Sequence, residues 1–170
     1  MRNILFKGKA IESKEWIYGN YVSDGTDVWI LPLDSAVKIQ VIPETVCQSL
    51  EIQDKNSKNI FDKDIIVTYY KGRMCSVGYI EYSDAEYDYN LIFGSIFDEC
   101  ETISLLRCEY SMIVIGNIYD NQDIIDKAKT LKDFYDKHYT NPFVCSDCPT
   151  QHICNNKYNC MDFLLSIITN

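Results

Sequence analysis

The chain has 170 residues, 46% of them apolar and 24% charged, a balance that predicts a packed globular core rather than disorder. No apolar run approaches the roughly 20 residues of a membrane helix, and the opening "MRNILFKGKAIESKEW" lacks the unbroken apolar stretch of a secretory leader, so a cytoplasmic protein with reduced thiols is expected. The formal charge is −9, and residues 74–122 hold nine acidic groups against one basic group, Arg107; such a surface repels phosphate backbones, disfavours direct nucleic-acid binding, and suits either solubility or a basic protein partner.

Over the first 120 residues, short apolar or alternating runs recur. They are "NILFKGKAI", "EWIYGNYV", "DVWILPL", "VKIQVI", "DIIVTYY", "CSVGYIEY", "YNLIFGSIF" and "SMIVIGNIY", parted by turn formers such as "SDGTD", "DKNSK" and "YKGR". That spacing predicts a β domain of barrel or sandwich type. "PETVCQSL" is read as one or two helical turns with Pro43 first. In "DKNSKNIFDKDIIV", Asp54 and Asn56 are expected to bond their own backbone and set a turn. Ile60, Phe61, Ile65 and Val67 then enter the core. Asp62 and Asp64 have the spacing of a carboxylate pair, but at a strand entry they read better as turn and solvent-facing residues than as catalysts.

The segment "YIEYSDAEYDYNLIF" sets Glu81, Asp84, Glu86 and Asp88 among Tyr79, Tyr82, Tyr87 and Tyr89. Tyrosine supplies contact area and carboxylates meet lysine or arginine, so the segment is a candidate partner-binding edge. An acidic array can also imitate a phosphate backbone. The alternative is a twisted hairpin with an acidic tip whose tyrosines pack across strands.

After Tyr119 the period changes. Asn121 is a candidate N-cap, and Ile124, Ala128, Leu131, Tyr135 and His138 fall on one helical face over residues 122–139. Lys127, Lys129, Lys132 and Asp136 fall outside that stripe, and "TNP" ends the helix. Then comes "CSDCPTQHICNNKYNC", which places Cys145, Cys148, Cys154 and Cys160 in the pattern C-x2-C-x5-C-x5-C. A C-x2-C turn lets two thiolates converge on one ion, and two further cysteines complete a tetrahedral shell for zinc. His152 could replace one of the four. An iron–sulfur cluster, a pair of disulfides and four free thiols remain as alternatives. A metal is favoured, because a tail this small gains its order from one, and zinc stands ahead of an iron–sulfur cluster because no redox partner motif is present. A short apolar helix, "MDFLLSII", closes the chain.

Three segments carry a family resemblance. "LFKGKAIESKEWIYGNY", "VIPETVCQSLEIQDKNSKNIFDKDIIV" and "IVIGNIYDN" resemble, in order, the opening, the signature and the closing strand of the YopX family of phage and prophage proteins. The resemblance covers residues 1–121 and leaves the four-cysteine segment outside. It departs where Leu50 and Glu51 replace an expected Thr-Gly, where Ser57 replaces Gly, and where Lys63 replaces a frequent Gly. Those losses suggest altered turns. The resemblance implies an all-β fold of small-barrel type and no enzymatic activity.

Catalytic signatures are scarce: there is no phosphate-binding loop, no G-x-G-x-x-G and no H-E-x-x-H. His138 reads as a packed residue on the helix stripe. Cys47, Cys75, Cys100 and Cys108 read as small apolar residues in or beside strands. The expected organisation is a mainly β domain over residues 1–121, followed over 122–170 by an amphipathic helix and a metal-clipped helical tail. The expected function is non-enzymatic: a phage or prophage accessory protein, in the cytoplasm of a bacterial host, that binds a host protein and inhibits a defence factor. A metal-containing nucleic-acid-binding or regulatory module is the alternative. Exposed strand edges would also allow homo-oligomers.

Overall fold

The computed structural model describes residues 4–70, 73–85, 87–92, 102–104, 111–127 and 129. The strands are all antiparallel and form two sheets, one in each of two compact units, Met1–Lys63 and Asp64–Asn170. The chain is mainly β, as the alternating runs predict.

The first unit holds β1 (Phe6–Lys9), β2 (Trp16–Ser23), β3 (Val28–Leu31), β4 (Ile39–Gln40), β5 (Cys47–Gln53) and β6 (Asn59–Phe61), in the spatial order β4-β3-β2-β1-β5-β6. Its turns follow from side-chain chemistry. Between β2 and β3, Asp24 Oδ1 accepts the N–H groups of Asp27 (2.9 Å) and Thr26 (3.0 Å), and Gly25 takes φ +95°. Those two donors hold the Asp24 carboxyl below its ordinary value. Between β5 and β6, Asp54 Oδ1 accepts from Asn56 (2.7 Å) and Lys58 (2.9 Å), which is the turn predicted there.

Among the described residues the small barrel implied by the family resemblance is not closed. The end of β4 does return to β1: Ala10 and Val41 make a bridge, and Ile42 N–H donates to Lys9 O at 2.8 Å. This curls the sheet without closing it. Both residues of β4 pair with β3, and Pro43 then turns the chain into a single 3-10 turn, Pro43–Thr45. Thr45 fastens that turn to β1, because its hydroxyl donates to Ile42 O at 2.7 Å and accepts from Lys9 N–H at 2.9 Å. The predicted helical turn therefore exists, but "CQSL" belongs to β5. Ala10, Ile30, Val41, Cys47, Ile60 and Phe61 are buried, and the Cys47 thiol donates to Thr45 O.

The three replaced glycines have a definite structural outcome. Glu51, Ser57 and Lys63 adopt φ values of 58°, 63° and 63°. All three lie in the left-handed region that glycine favours, occupied here by residues with a Cβ.

The second unit holds β7 (Asp64–Tyr70), β8 (Arg73–Ser83), β9 (Asp88–Ile92), β10 (Thr102–Ser104) and β11 (Ser111–Asn117), in the order β10-β9-β8-β7-β11. In β7 the consecutive residues Ile65, Ile66, Val67 and Thr68 are all buried, so both faces of this central strand are covered. Ile60, Phe61, Ile65 and Val67 enter the core as expected. Asp64 corrects an expectation. It is not solvent-facing but 1% exposed, and its carboxylate accepts the side-chain amide of buried Asn117 at 3.0 Å.

A helix begins at residue 122 and buries Ile124 and Ile125. Asn121 stands at its entrance with its carbonyl accepting from Ile124 N–H. Its side-chain oxygen turns back to Asn117 N–H at 3.2 Å instead of capping forward. Lys127 lies outside the buried stripe, 3.2 Å from Asp123 one turn earlier. Ala128, Leu131, Tyr135 and His138 of the predicted stripe, the four-cysteine segment and the closing helix lie outside the described residues. Among the described residues no helix is long and apolar enough to cross a membrane.

Candidate partner-binding hairpin and a lysine–aromatic sheet face

The acidic tyrosine segment forms the β8–β9 hairpin. Its register pairs Tyr79 with Ile92, Ile80 with Leu91, Glu81 with Asn90, Tyr82 with Tyr89 and Ser83 with Asp88. Because side chains alternate across a strand, this register sorts the predicted residues by face. Ile80, Leu91, Tyr82 and Tyr89 share one face; Tyr79, Glu81 and Asp88 share the other. On the first face Ile80 and Leu91 are fully buried at the base, and the Tyr82 and Tyr89 rings meet edge to face at 5.2 Å nearer the tip. The tyrosines thus pack across strands, while the Glu81 and Asp88 carboxylates lie on the opposite face.

Asp84, Ala85 and Tyr87 lie in the connection between the two strands, at the tip. Asp84 is exposed, and Tyr87 is 83% exposed with φ 54°. A bulky aromatic in the left-handed region is a conformational outlier. Tyr87 has neither the burial nor the backbone comfort that would account for an aromatic at this position. Glu86 lies outside the described residues, as do Cys145, Cys148, Cys154, Cys160 and His152.

A second cluster was not singled out in the sequence. In the first unit, Lys7 pairs with Tyr18 and Lys9 with Trp16, so these four share a face. Val22 pairs with Trp29 on the same face, and Phe61 reaches it through Ser49. The Lys7 ammonium lies 4.8 Å from the Trp16 ring centre and 4.9 Å from that of Phe61, although Lys7 is only 5% exposed. Lys9 lies 5.7 Å from Trp16, and Lys38 3.4 Å from Trp29. Tyr18, 50% exposed, packs edge-on to Phe61 at 5.7 Å. Lys7/Lys9 and Trp16/Tyr18 each recur at a spacing of two. That spacing is the signal in the sequence that could have revealed the face, but it becomes a cluster only once register is known.

The described chain is thus an all-antiparallel β protein that presents an acidic tyrosine hairpin and a lysine–aromatic sheet face. The family model described as YopX protein matches residues 6–126, and the chain belongs to the YopX family. No curated protein and no solved structure matches it.

Proposed function

We propose that this protein is a non-enzymatic accessory protein of phage or prophage origin. It acts in the cytoplasm of a bacterial host by binding a host protein through the β8–β9 hairpin. Tyr87 carries the reading: an aromatic side chain 83% exposed, in a strained backbone conformation, between the carboxylates of Asp84 and Asp88. Strain held at an exposed position is explained when the side chain is an anchor for something else. Residues 79–92 contain four carboxylates and no basic group, so the fitting partner carries lysine or arginine around a pocket for the ring. A basic nucleic-acid-binding surface has that chemistry, and covering it would inhibit a defence factor that works on nucleic acid. Cys145, Cys148, Cys154 and Cys160, with His152 as a possible substitute ligand, are proposed to hold zinc, or alternatively an iron–sulfur cluster, as a clip for the tail.

The test is affinity capture from a bacterial lysate with wild-type protein, Tyr87→Ser and Asp84→Lys, followed by titration of the recovered protein in pure form. The expected result is one partner bound by wild type and weakened by about thirtyfold or more in Tyr87→Ser, as for an interface anchor. Equal affinity for all three proteins would overturn the assignment of the hairpin.

A further inference from the structure

Asp24 and Gly25 form the only Asp-Gly step in the sequence, and the chain has no Asn-Gly. At such a step the second residue has no side chain to hinder its amide nitrogen, which can close on the carboxyl carbon of the aspartate. A C–N bond forms, the carboxyl loses an oxygen as water, and a five-membered succinimide results. Water then reopens the ring at either carbonyl, giving back aspartate or leaving isoaspartate, with no net change in composition. Residues 23–27 of the β2–β3 turn are all exposed, and beyond its chain neighbours nothing stands within 4 Å of where a Gly25 side chain would begin. Neither burial nor crowding shields the step. Hydrogen bonds do. Asp24 Oδ1 is held by the N–H groups of Asp27 (2.9 Å) and Thr26 (3.0 Å), so the carboxyl is turned to residues beyond Gly25. Gly25 N–H donates to Ser23 Oγ at 3.1 Å, and the same hydroxyl donates to Asp27 O at 3.1 Å. Nucleophile and electrophile thus have different partners, and ring closure requires the bonds at Asp24 to break. The Asp27 and Thr26 donors also keep the carboxyl ionised, and the anion accepts a nucleophile less readily than the acid.

We infer that Asp24–Gly25 is a latent modification site, closed by Ser23 and the Asp24 carboxylate while the turn is intact and open to isoaspartate formation when the turn frays. Water is the only co-reactant. A short exposed turn belongs to the low end of opening free energies, so the site reaches its reactive state without the sheet coming apart. The product is not neutral for the fold. Isoaspartate routes the main chain through the former side chain, which lengthens the turn by one carbon and leaves the carboxylate directly on the α-carbon. Residue 24 then no longer presents its carboxylate to Thr26 and Asp27 as before. The pairs beside the turn, Ser23 with Val28 and Val22 with Trp29, lose the connection that sets their register. Trp29 carries the Lys38 ammonium at 3.4 Å, so the change reaches the lysine–aromatic face.

The test incubates purified full-length protein at neutral pH and follows isoaspartate at residue 24 by peptide mapping and enzymatic methylation of isoaspartyl carboxyl groups. Folded wild type is expected to convert at least about tenfold more slowly than the same chain held unfolded in guanidinium chloride, because reaction waits for the turn to open. Ser23→Ala releases the Gly25 N–H and is expected to convert about threefold faster than wild type or more, whereas Ser23→Thr keeps a hydroxyl and stays near the wild-type rate. Asp24→Asn retains the side-chain acceptor, and its ring closure expels ammonia in place of water. The resulting mass gain is read on intact protein and reports the guard even where Ser23→Ala fails to fold. That variant too is expected to react at least about tenfold more slowly folded than unfolded. Equal rates in folded and unfolded protein overturn the inference. An unfolded chain that forms its isoaspartate elsewhere, as at Asn56–Ser57, overturns the choice of site. A folded Ser23→Ala that reacts no faster than wild type overturns the role given to Ser23.

Discussion

Asn117 donates its side-chain amide to the Asp64 carboxylate at 3.0 Å, across the register pair that joins the end of β11 to the start of β7. The same residue accepts Tyr119 N–H on its side-chain oxygen at 3.1 Å, and its carbonyl accepts from Asp120 (3.1 Å) and Asn121 (2.9 Å). One buried asparagine thus ties two strands to the turn that starts the helix. Asn117→Ala removes a donor from a buried carboxylate and should cost about 2–4 kcal/mol, read by urea unfolding. Asn117→Asp is more diagnostic. It sets a second carboxylate about 3 Å from Asp64, so one of the two must bind a proton above the usual carboxylate range. The folded state then binds more protons than the unfolded one, and stability should rise as pH falls from 7 towards 5. A variant equally destabilised at both pH values would refute the contact.

Gly116 owes its identity to Asn121. A Cβ there would lie 2.5 Å from Asn121 Oδ1 and 2.9 Å from its Cγ. Gly116→Ala should therefore displace that side chain and lose its bond from Asn117 N–H, costing about 1–3 kcal/mol. In an Asn121→Ala background the obstruction is relieved, so the two losses should fall short of additive by 0.5 kcal/mol or more, a typical contact coupling. Additive losses would show that the alanine clashes elsewhere.

Ser57 occupies the left-handed region at φ 63° in the β5–β6 turn, where the Asp54 carboxylate already organises the backbone. A residue with a Cβ pays roughly 1–2 kcal/mol in this region, and glycine loses about 0.5–1 kcal/mol of that advantage to its freer unfolded chain. Ser57→Gly should raise stability by up to about 1 kcal/mol, and Ser57→Val should lower it by more than 1 kcal/mol. Thermal unfolding of the two variants decides this, and a destabilised Ser57→Gly would mean the hydroxyl supports the turn.

These residues also show how far the sequence could be read. Asp54, Ile60, Phe61, Ile65 and Val67 were legible because a turn former and a short apolar run are local signals. Glu51, Ser57 and Lys63 were legible as departures from expected glycines, but a sequence does not reveal backbone dihedral angles. "CQSL" was misread because the proline that opens a 3-10 turn looks the same as one that opens a longer helix. Asp64 was misplaced because its partner lies 53 residues away in sequence. The lysine–aromatic face shares that difficulty: Lys7, Trp16 and Phe61 are brought together by three pairings, β1 with β2, β1 with β5 and β5 with β6. At the hairpin, residue types pointed to an acidic tyrosine surface, and only the register separates Tyr82 and Tyr89 from Glu81 and Asp88.

The tail cysteines offer a test independent of the β units. Protein purified under reducing conditions should carry about one zinc per chain if four thiolates close a structural site. Replacing Cys145, Cys148, Cys154 and Cys160 together by serine should abolish it. His152→Ala should leave the metal in place if the four cysteines are the ligands and lower its occupancy if the histidine substitutes for one. Visible absorbance with iron in place of zinc would select the cluster instead. Metal-free protein with alkylatable or disulfide-linked cysteines would refute the clip.

Lys7 supplies the last expectation. Its ammonium is within 5 Å of two ring centres, Trp16 and Phe61, in a position only 5% exposed. A cation taken from water costs several kcal/mol unless its surroundings restore the lost interactions, and two ring faces do part of that. Lys7→Met keeps most of the apolar stem and removes the charge, whereas Trp16→Leu keeps an apolar side chain and removes the ring. If the ammonium–indole contact stabilises the sheet, the two changes should couple by about 0.5–2 kcal/mol in a double-mutant cycle. Lys7→Met alone should also alter Trp16 fluorescence, since the charge beside the indole is gone. A coupling near zero would mean that Lys7 is held by its other neighbours, and that burial of its stem, not the ring faces, fixes it on the sheet.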